Sequence, residues 1–362
     1  NGTATVNDAG SSWGNRSDLF VGLDGTGTLN INNGGAVSSY TGKLGYTSNS
    51  SGTVTVDGMG SSWINSSRVD VGGAGTGTLN ITNGGAVSNS ESAIALFSRS
   101  TGTVTVNGAG SKWINSSVLD VGLDGTGTLN ISNGGTVSSA AGILGATAGS
   151  TGTATVDGAS SSWVNSSNLE VGKRGTATLN ISNGGLVDVT NDLLIGGAGA
   201  VNLNGGTINA SSVLNIGTLT GSGTINAGVF NNDGIVGPGN SPGTLTVGGY
   251  TQDINGILNI ELGGVLAGTE YDVLAVTGTA NLGGTLNVDF FDLGIGLFDA
   301  SLGDTFEILL AENINGEFDI LTLAVLGEGL DWQLNYLIDF QGTTDIVQLS
   351  VVSAVPLPTA VW

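Results

Sequence analysis

The chain has 362 residues, of which 65 are glycine and four proline, and it contains neither cysteine nor histidine. Its 29 acidic and seven basic residues give a formal net charge of −22, which excludes nucleic acid and anionic lipid as partners by repulsion. Without cysteine there are no disulfides or thiolate metal sites, and so few prolines rule out collagen-like or polyproline structure.

From its first residues the chain repeats every 50. Trp13, Trp63, Trp113 and Trp163 mark the period, and the phrase T-L-N-I-x-N-G-G begins at Thr28, Thr78, Thr128 and Thr178. Gly2-Thr3-Ala4-Thr5-Val6 and Gly27-Thr28-Leu29-Asn30-Ile31 lie half a period apart, so each block is two units of different type. Within a unit, apolar residues alternate with threonine, asparagine or charge: Val54 and Val56, Val69 and Val71, Leu79 and Ile81. Such period-2 runs, bounded by Gly, Asn and Ser, predict about three short strands per unit. The expected fold is all-β, a right-handed parallel β-helix (β-solenoid) of about 25 residues per coil, with parallel strands about 4.8 Å apart.

Trp13 lies seven residues after Val6 and six before Leu19, whereas Val37 lies six after Ile31 and seven before Leu44. Both types are therefore expected to point inward, large on small: Trp13, Trp63, Trp113 and Trp163 alternating with Val37, Val87, Val137 and Val187. The other reading of the tryptophans is an exposed aromatic stripe for gripping sugars. Asn30, Asn80, Asn130 and Asn180 share one position and are expected to form an amide ladder along the coil axis. Asn65, Asn115 and Asn165 share another, continued by Asn15.

The strict repeat covers residues 1–187. Residues 188–267 keep the glycine-punctuated texture as degenerate coils, as in Gly243-Thr244-Leu245-Thr246-Val247. Residues 268–352 are richer in acid, Leu and Phe, with longer predicted strands, and read as a β-rich C-terminal cap covering the open end of the stack. Residues 353–362 form a tail. Asn1 begins directly on a coil phrase, so upstream chain or another subunit is expected to cover that coil.

Charge is uneven along the chain. Up to Arg174 there are seven basic and ten acidic residues; beyond it there are 19 acidic residues and no basic one. This excess would attract cations such as Ca²⁺, although no EF-hand loop or glycine-aspartate nonapeptide array is present. No cofactor is expected, and the sequence leaves metal binding undecided. Asp24 and Asp124, in Leu-Asp-Gly-Thr-Gly, read as turn residues. No signal peptide or membrane-spanning run is present.

The phrases G-S-S-W-x-N-S-S-x-L-x-V-G and G-T-G-T-L-N-I-x-N-G-G-x-V, nearly whole between Gly60 and Val87, resemble the repeat shared by type V secretion (autotransporter-like) and PEP-CTERM proteins. The segment from Gly237-Pro238-Gly239-Asn240-Ser241-Pro242-Gly243 to Leu282 resembles the distal passenger of adhesin-like members. The last residues, Val355-Pro356-Leu357-Pro358-Thr359-Ala360, resemble the opening of a VPLPA-type sorting signal, with Thr359 where the family has alanine. The resemblance implies export to the extracellular space or outer cell surface of a Gram-negative bacterium that makes exopolysaccharide. It also implies a chain ending at the sorting boundary.

For function, β-helix polysaccharide lyases and hydrolases set the enzyme reading, but their chemistry needs cationic groups, His, Ca²⁺ or paired carboxylates. Asp70 and Asp120 recur one block apart and read as a surface ladder, and no nucleophile or phosphate-loop motif is present. No enzymatic activity is expected. The leading expectation is a non-enzymatic structural subunit of a surface filament or biofilm matrix, copies stacking head to tail, with exopolysaccharide as a further partner. The alternative is a cell-surface adhesin for glycans or neighbouring surfaces, and a polysaccharide-active enzyme is more remote. Candidate subunit contacts are Asn1, Val351, Val352, Val355, Leu357, Val361 and Trp362. The terminal segment reads either as a donated strand or as a linker to a removed anchor.

Overall fold

Runs such as Thr53-Val54-Thr55-Val56 form strands because β-branched side chains are stiff at χ1 and pack well on a pleated surface. The computed structural model describes residues 1–294, 296–340 and 344–354. Among them every regular element is a strand, and the strands stack in parallel as a β-solenoid with about 25 residues per turn. Two compact units divide the chain, residues 1–219 and residues from 220 onward.

In the first unit each turn has three strands, for example Ser51–Asp57, Ser62–Asn65 and Arg68–Val71. The first strands pair without register shift from Gly2–Asn7 through Thr176–Ser182, each glycine, threonine and apolar residue facing its equivalent one turn on. Inward positions such as Leu29, Val54, Leu79, Val104 and Leu129 are buried and form one continuous column. Each contributes about 1.5–3 kcal/mol by leaving water. The N-G-G phrase makes a corner: Asn33, Asn83, Asn133 and Asn183 all sit at φ 51–52°, where asparagine is better tolerated than other side-chain-bearing residues. Gly122 makes another at φ 71°, and a Cβ there would lie 2.1 Å from the Thr151 carbonyl oxygen. The unit ends in one long strand, Gly199–Asn215, which runs along three strands of the preceding turn through a bulge at Ile181/Ser182.

The second unit is also wound in parallel, with less even turns. Thr244 lies opposite Val273 and Ile257 opposite Thr285. Parallel pairing continues to Ile320–Leu323, so coils persist well past residue 268. The element that departs from the stack is narrower, an antiparallel hairpin of Leu330–Phe340 and Thr344–Ser353. Its second strand lies antiparallel on Thr305–Ala311 and satisfies that edge. Beneath it, Phe306 makes edge contacts with Tyr271, Phe298 and Trp332 at centroid distances of 5.3, 6.0 and 5.9 Å.

Candidate functional site

The second strand of each turn sets the tryptophan column. Its register is Trp13, Val37, Trp63, Val87, Trp113, Val137, Trp163, Val187, one residue per turn. Trp63, Trp113 and Trp163 are fully buried, as are all four valines to within 2%. Trp13 is the exception at 38% exposure, because its strand pairs on one side only. The three buried indoles are core and do not form a sugar-gripping stripe.

Each buried indole has a polar partner in the turn before it. Nε1 of Trp63 donates to Ser39 Oγ (3.2 Å), that of Trp113 to Asn89 Oδ1 (2.9 Å) and that of Trp163 to Ser139 Oγ (3.2 Å). The same inner column carries the second set of asparagines. Ser39 donates to Asn65 Oδ1 (2.6 Å), Asn89 to Asn115 Oδ1 (2.7 Å) and Ser139 to Asn165 Oδ1 (2.8 Å). Sequence alone did not single out Ser39, Asn89 or Ser139; the signal was their constant place two residues after each column valine.

The expected ladder of Asn30, Asn80, Asn130 and Asn180 is not continuous. These residues recur every second turn, and Thr55, Thr105 and Thr155 occupy the turns between, so like amides do not meet. Asn180 alone of the four bonds an amide, from Asn202 (2.9 Å), where the repeat gives way. On the same outer face a threonine stands in every turn from Thr3 to Thr178, each one opposite the next.

The third strand carries the charge. Asp70 and Asp120 lie outward on either side of Ala93, at 4% and 7% exposure, so they are covered groups and not the surface ladder expected of them. Arg68 Nε pairs with Asp70, and its Nη1 with Glu91 at 3.1 Å. Desolvation pushes Asp120 up to about 6, with Arg68 pulling down against it. One block earlier the same belt is aromatic. Lys43 pairs with Asp18 at 2.7 Å and sits 5.1 and 5.0 Å from the ring centroids of Phe20 and Tyr46, which meet edge to face. Hydrogen bonding from Lys43 holds the Asp18 carboxyl below its usual range. Phe20, Lys43 and Tyr46 have no aromatic or basic equivalent in the next block, which reads Asp70, Ala93 and Leu96.

In the second unit the 237–243 loop walls a cleft of about 260 Å³ that Asn240, Ser241, Glu261 and Asp272 line. Asp272, 1% exposed, accepts the N–H groups of Gly243 (2.8 Å) and Glu261 (3.0 Å), holding the loop against its neighbouring strand. Burial pushes its pKa up to about 7, against the pull of those two N–H groups. A folded pKa above the ordinary 3.8 means that the protonated form is favoured by folding. This contribution is full below about pH 4 and is lost as pH rises through 7. The stability difference between the chain and Asp272→Asn is expected to shift in the mutant's favour over that range, by at most about 1.4 kcal/mol per pH unit. Urea unfolding at several pH values measures it, and a difference flat with pH would refute the assignment. A second buried cluster of this unit, Asn232, Tyr250 and Gln252, has no signal in the sequence pattern. Tyr250 donates to Gln252 Oε1 (2.6 Å), and Gln252 Nε2 donates to the carbonyls of Gly283 and Thr285.

Among the described residues, no group of three or more Asp or Glu is placed to hold a metal ion, and no helix is long and apolar enough to cross a membrane. Asn1 is exposed. Val351 is 2% exposed within its own hairpin, opposite Trp332, so it is not free for a neighbouring subunit; Val352 lies beside it, opposite Asp331. Val355, Leu357, Val361 and Trp362 lie outside the described residues.

No family model and no curated protein matches the chain. Among solved structures it is similar to the crystal structure of the TibC-catalyzed hyper-glycosylated TibA55-350 fragment. That likeness has 19% identity and a TM-score of 0.39, covering 76% of this chain and 88% of that one.

Proposed function

We propose that the chain is a non-enzymatic structural protein of the extracellular space or outer surface of a Gram-negative bacterium, a subunit of a surface filament or biofilm matrix. The observation that carries this reading is where its buried polar chemistry goes. Trp63, Trp113 and Trp163, with Ser39, Asn89, Ser139 and the asparagines beyond them, bond one turn to the next. Side chains committed to cohesion between turns build length and stiffness. The resemblance of the repeat and of the Val355–Ala360 phrase to PEP-CTERM proteins supports the location. The proposed partners are further copies of the chain, arranged head to tail, and then exopolysaccharide. The contact does not run through Val351, which is buried in its own hairpin.

Negative-stain electron microscopy of the purified chain, with and without Ca²⁺, tests the filament. Uniform fibres that lengthen with concentration are expected. Isolated particles at every concentration and calcium level would overturn it.

A second reading, a glycan-binding adhesin, is favoured by one feature: the Phe20–Tyr46 corner, with Tyr40 exposed in the same 50-residue block. Retention on a glycan array that disappears in Phe20→Ala and Tyr40→Ala would favour it over the filament.

A further inference from the structure

The outer charged belt of the third and fifth turns contains two groups that nothing else in the fold accounts for. Arg68 uses Nε on Asp70 and Nη1 on Glu91, but its Nη2 is buried without a hydrogen-bond partner. Asp120 is 7% exposed, and among the described residues it makes no hydrogen bond or ion pair. Its register neighbours are Ala93 on one side and Ile143 on the other, both apolar. The buried guanidinium nitrogen has lost water without gaining a partner, and the largely covered Asp120 carboxylate has no protein donor beside it.

The geometry points to an acid-released latch in which Arg68 is shared between Asp70 and Asp120, two turns apart across Ala93. When Asp120 is charged, Nη2 swings onto its carboxylate, and one guanidinium then ties the third, fourth and fifth turns together through Asp70, Glu91 and Asp120. When Asp120 takes a proton from solvent, the attraction is removed and Arg68 rests on Asp70 and Glu91 alone, the arrangement described above. Ala93 is the reason the reach is feasible: it is the smallest side chain of its outer column, and a larger one would stand between the two acids.

Other charged groups face the same belt. Lys43 lies opposite Asp70 in the preceding turn and lowers its pKa, while Glu91 raises the pKa of both Asp70 and Asp120. Glu170 and Lys173 approach Asp120 from the far side, where they pair with each other at 3.2 Å and act on it with opposite sign. The dominant effect on Asp120 is its own desolvation, which places the release in mildly acidic solution.

The test is a ¹⁵N and ¹³C NMR titration of the full chain between about pH 4 and 8, in which only four arginines compete for assignment. The Arg68 Nη resonances are expected to shift with the same midpoint as the Asp120 carboxyl carbon. In Asp120→Asn, which keeps shape and removes charge, that shift should vanish. In Arg68→Gln the Asp120 midpoint should rise by roughly one pH unit or more. An Arg68 response that survives in Asp120→Asn, or an Asp120 midpoint unmoved by Arg68→Gln, would overturn the latch.

Discussion

Trp113→Ala is expected to remove about 3–5 kcal/mol of stability, the usual range for truncating a fully buried large aromatic. Trp113 is 0% exposed and lies between Val87 and Val137 in register, so truncation opens a cavity with a valine on each side that cannot close it. The indole N–H is also the partner of Asn89 Oδ1, which would be left unmatched inside the stack. Because each turn touches only its neighbours, the damage should stay local. Amide exchange is expected to speed up in 86–89, 112–115 and 136–139 and much less at either end of the first unit. Trp13→Ala is the internal control, since its side chain is already 38% exposed, and its cost should be well below that of Trp113→Ala. Urea unfolding of both variants decides the matter, and equal losses would mean that the column is not the core of the turn.

The second large effect is expected at Gly42. A Cβ there would lie 2.3 and 2.4 Å from Cζ2 and Cη2 of Trp63, too close for any side chain. Gly142 stands in the same relation to Trp163, at 2.7 Å. Yet Ser92 occupies the equivalent place below Trp113. The difference lies three residues earlier. Where the residue is glycine, the indole N–H reaches back to a short serine, Ser39 or Ser139; where it is Ser92, the N–H meets the longer Asn89. Asn89 also donates to Ser92 Oγ (2.8 Å), and Ser92 donates to Asn115 Oδ1 (2.7 Å). The length of the indole's partner therefore sets where the ring lies and whether a Cβ fits beside it. Gly42→Ser alone should cost about 1–3 kcal/mol through overpacking. Combined with Ser39→Asn it should recover most of that loss, since the pair rebuilds the Asn89–Ser92 arrangement. A double-mutant cycle with a coupling of at least about 0.5 kcal/mol is the expected outcome. Additive losses would show that the two sequences at these positions are unrelated.

The parts of this fold that could be read in advance are those with a fixed period. The 25-residue step from Gly2 to Gly27 is the observed register of the first strands. The offset of one residue between Trp13 and Val37 appears as alternating separations of 24 and 26 across the second strands, as in Trp13 to Val37 and Val37 to Trp63. Positions whose role depends on a neighbouring turn were not legible. Asn30 recurs every 50 residues, but identical residues 50 apart are two turns apart, and Thr55 lies between Asn30 and Asn80. Asp70 and Asp120 alternate with inward apolar residues and so read as exposed; what stands beside them in the neighbouring turns, Lys43 and Ala93 for Asp70, Ala93 and Ile143 for Asp120, is not encoded in any local pattern. In the second unit the turn lengths vary, so the boundary between coil and cap could not be placed. The antiparallel pairing of 344–353 with Thr305–Ala311 follows no repeat.

Large-on-small alternation of tryptophan and valine also bears on how such a gene can change length. Loss or gain of a single 25-residue unit would bring tryptophan against tryptophan, or valine against valine, at the junction, with a steric clash in one case and a void in the other. Loss or gain of a whole 50-residue block restores the same order, Trp63 on Val37 and Val87 on Trp63. Unequal recombination between the blocks is therefore neutral to folding only in steps of two turns. The chain can grow or shorten like a ruler marked in double units, with odd lengths removed by their own instability.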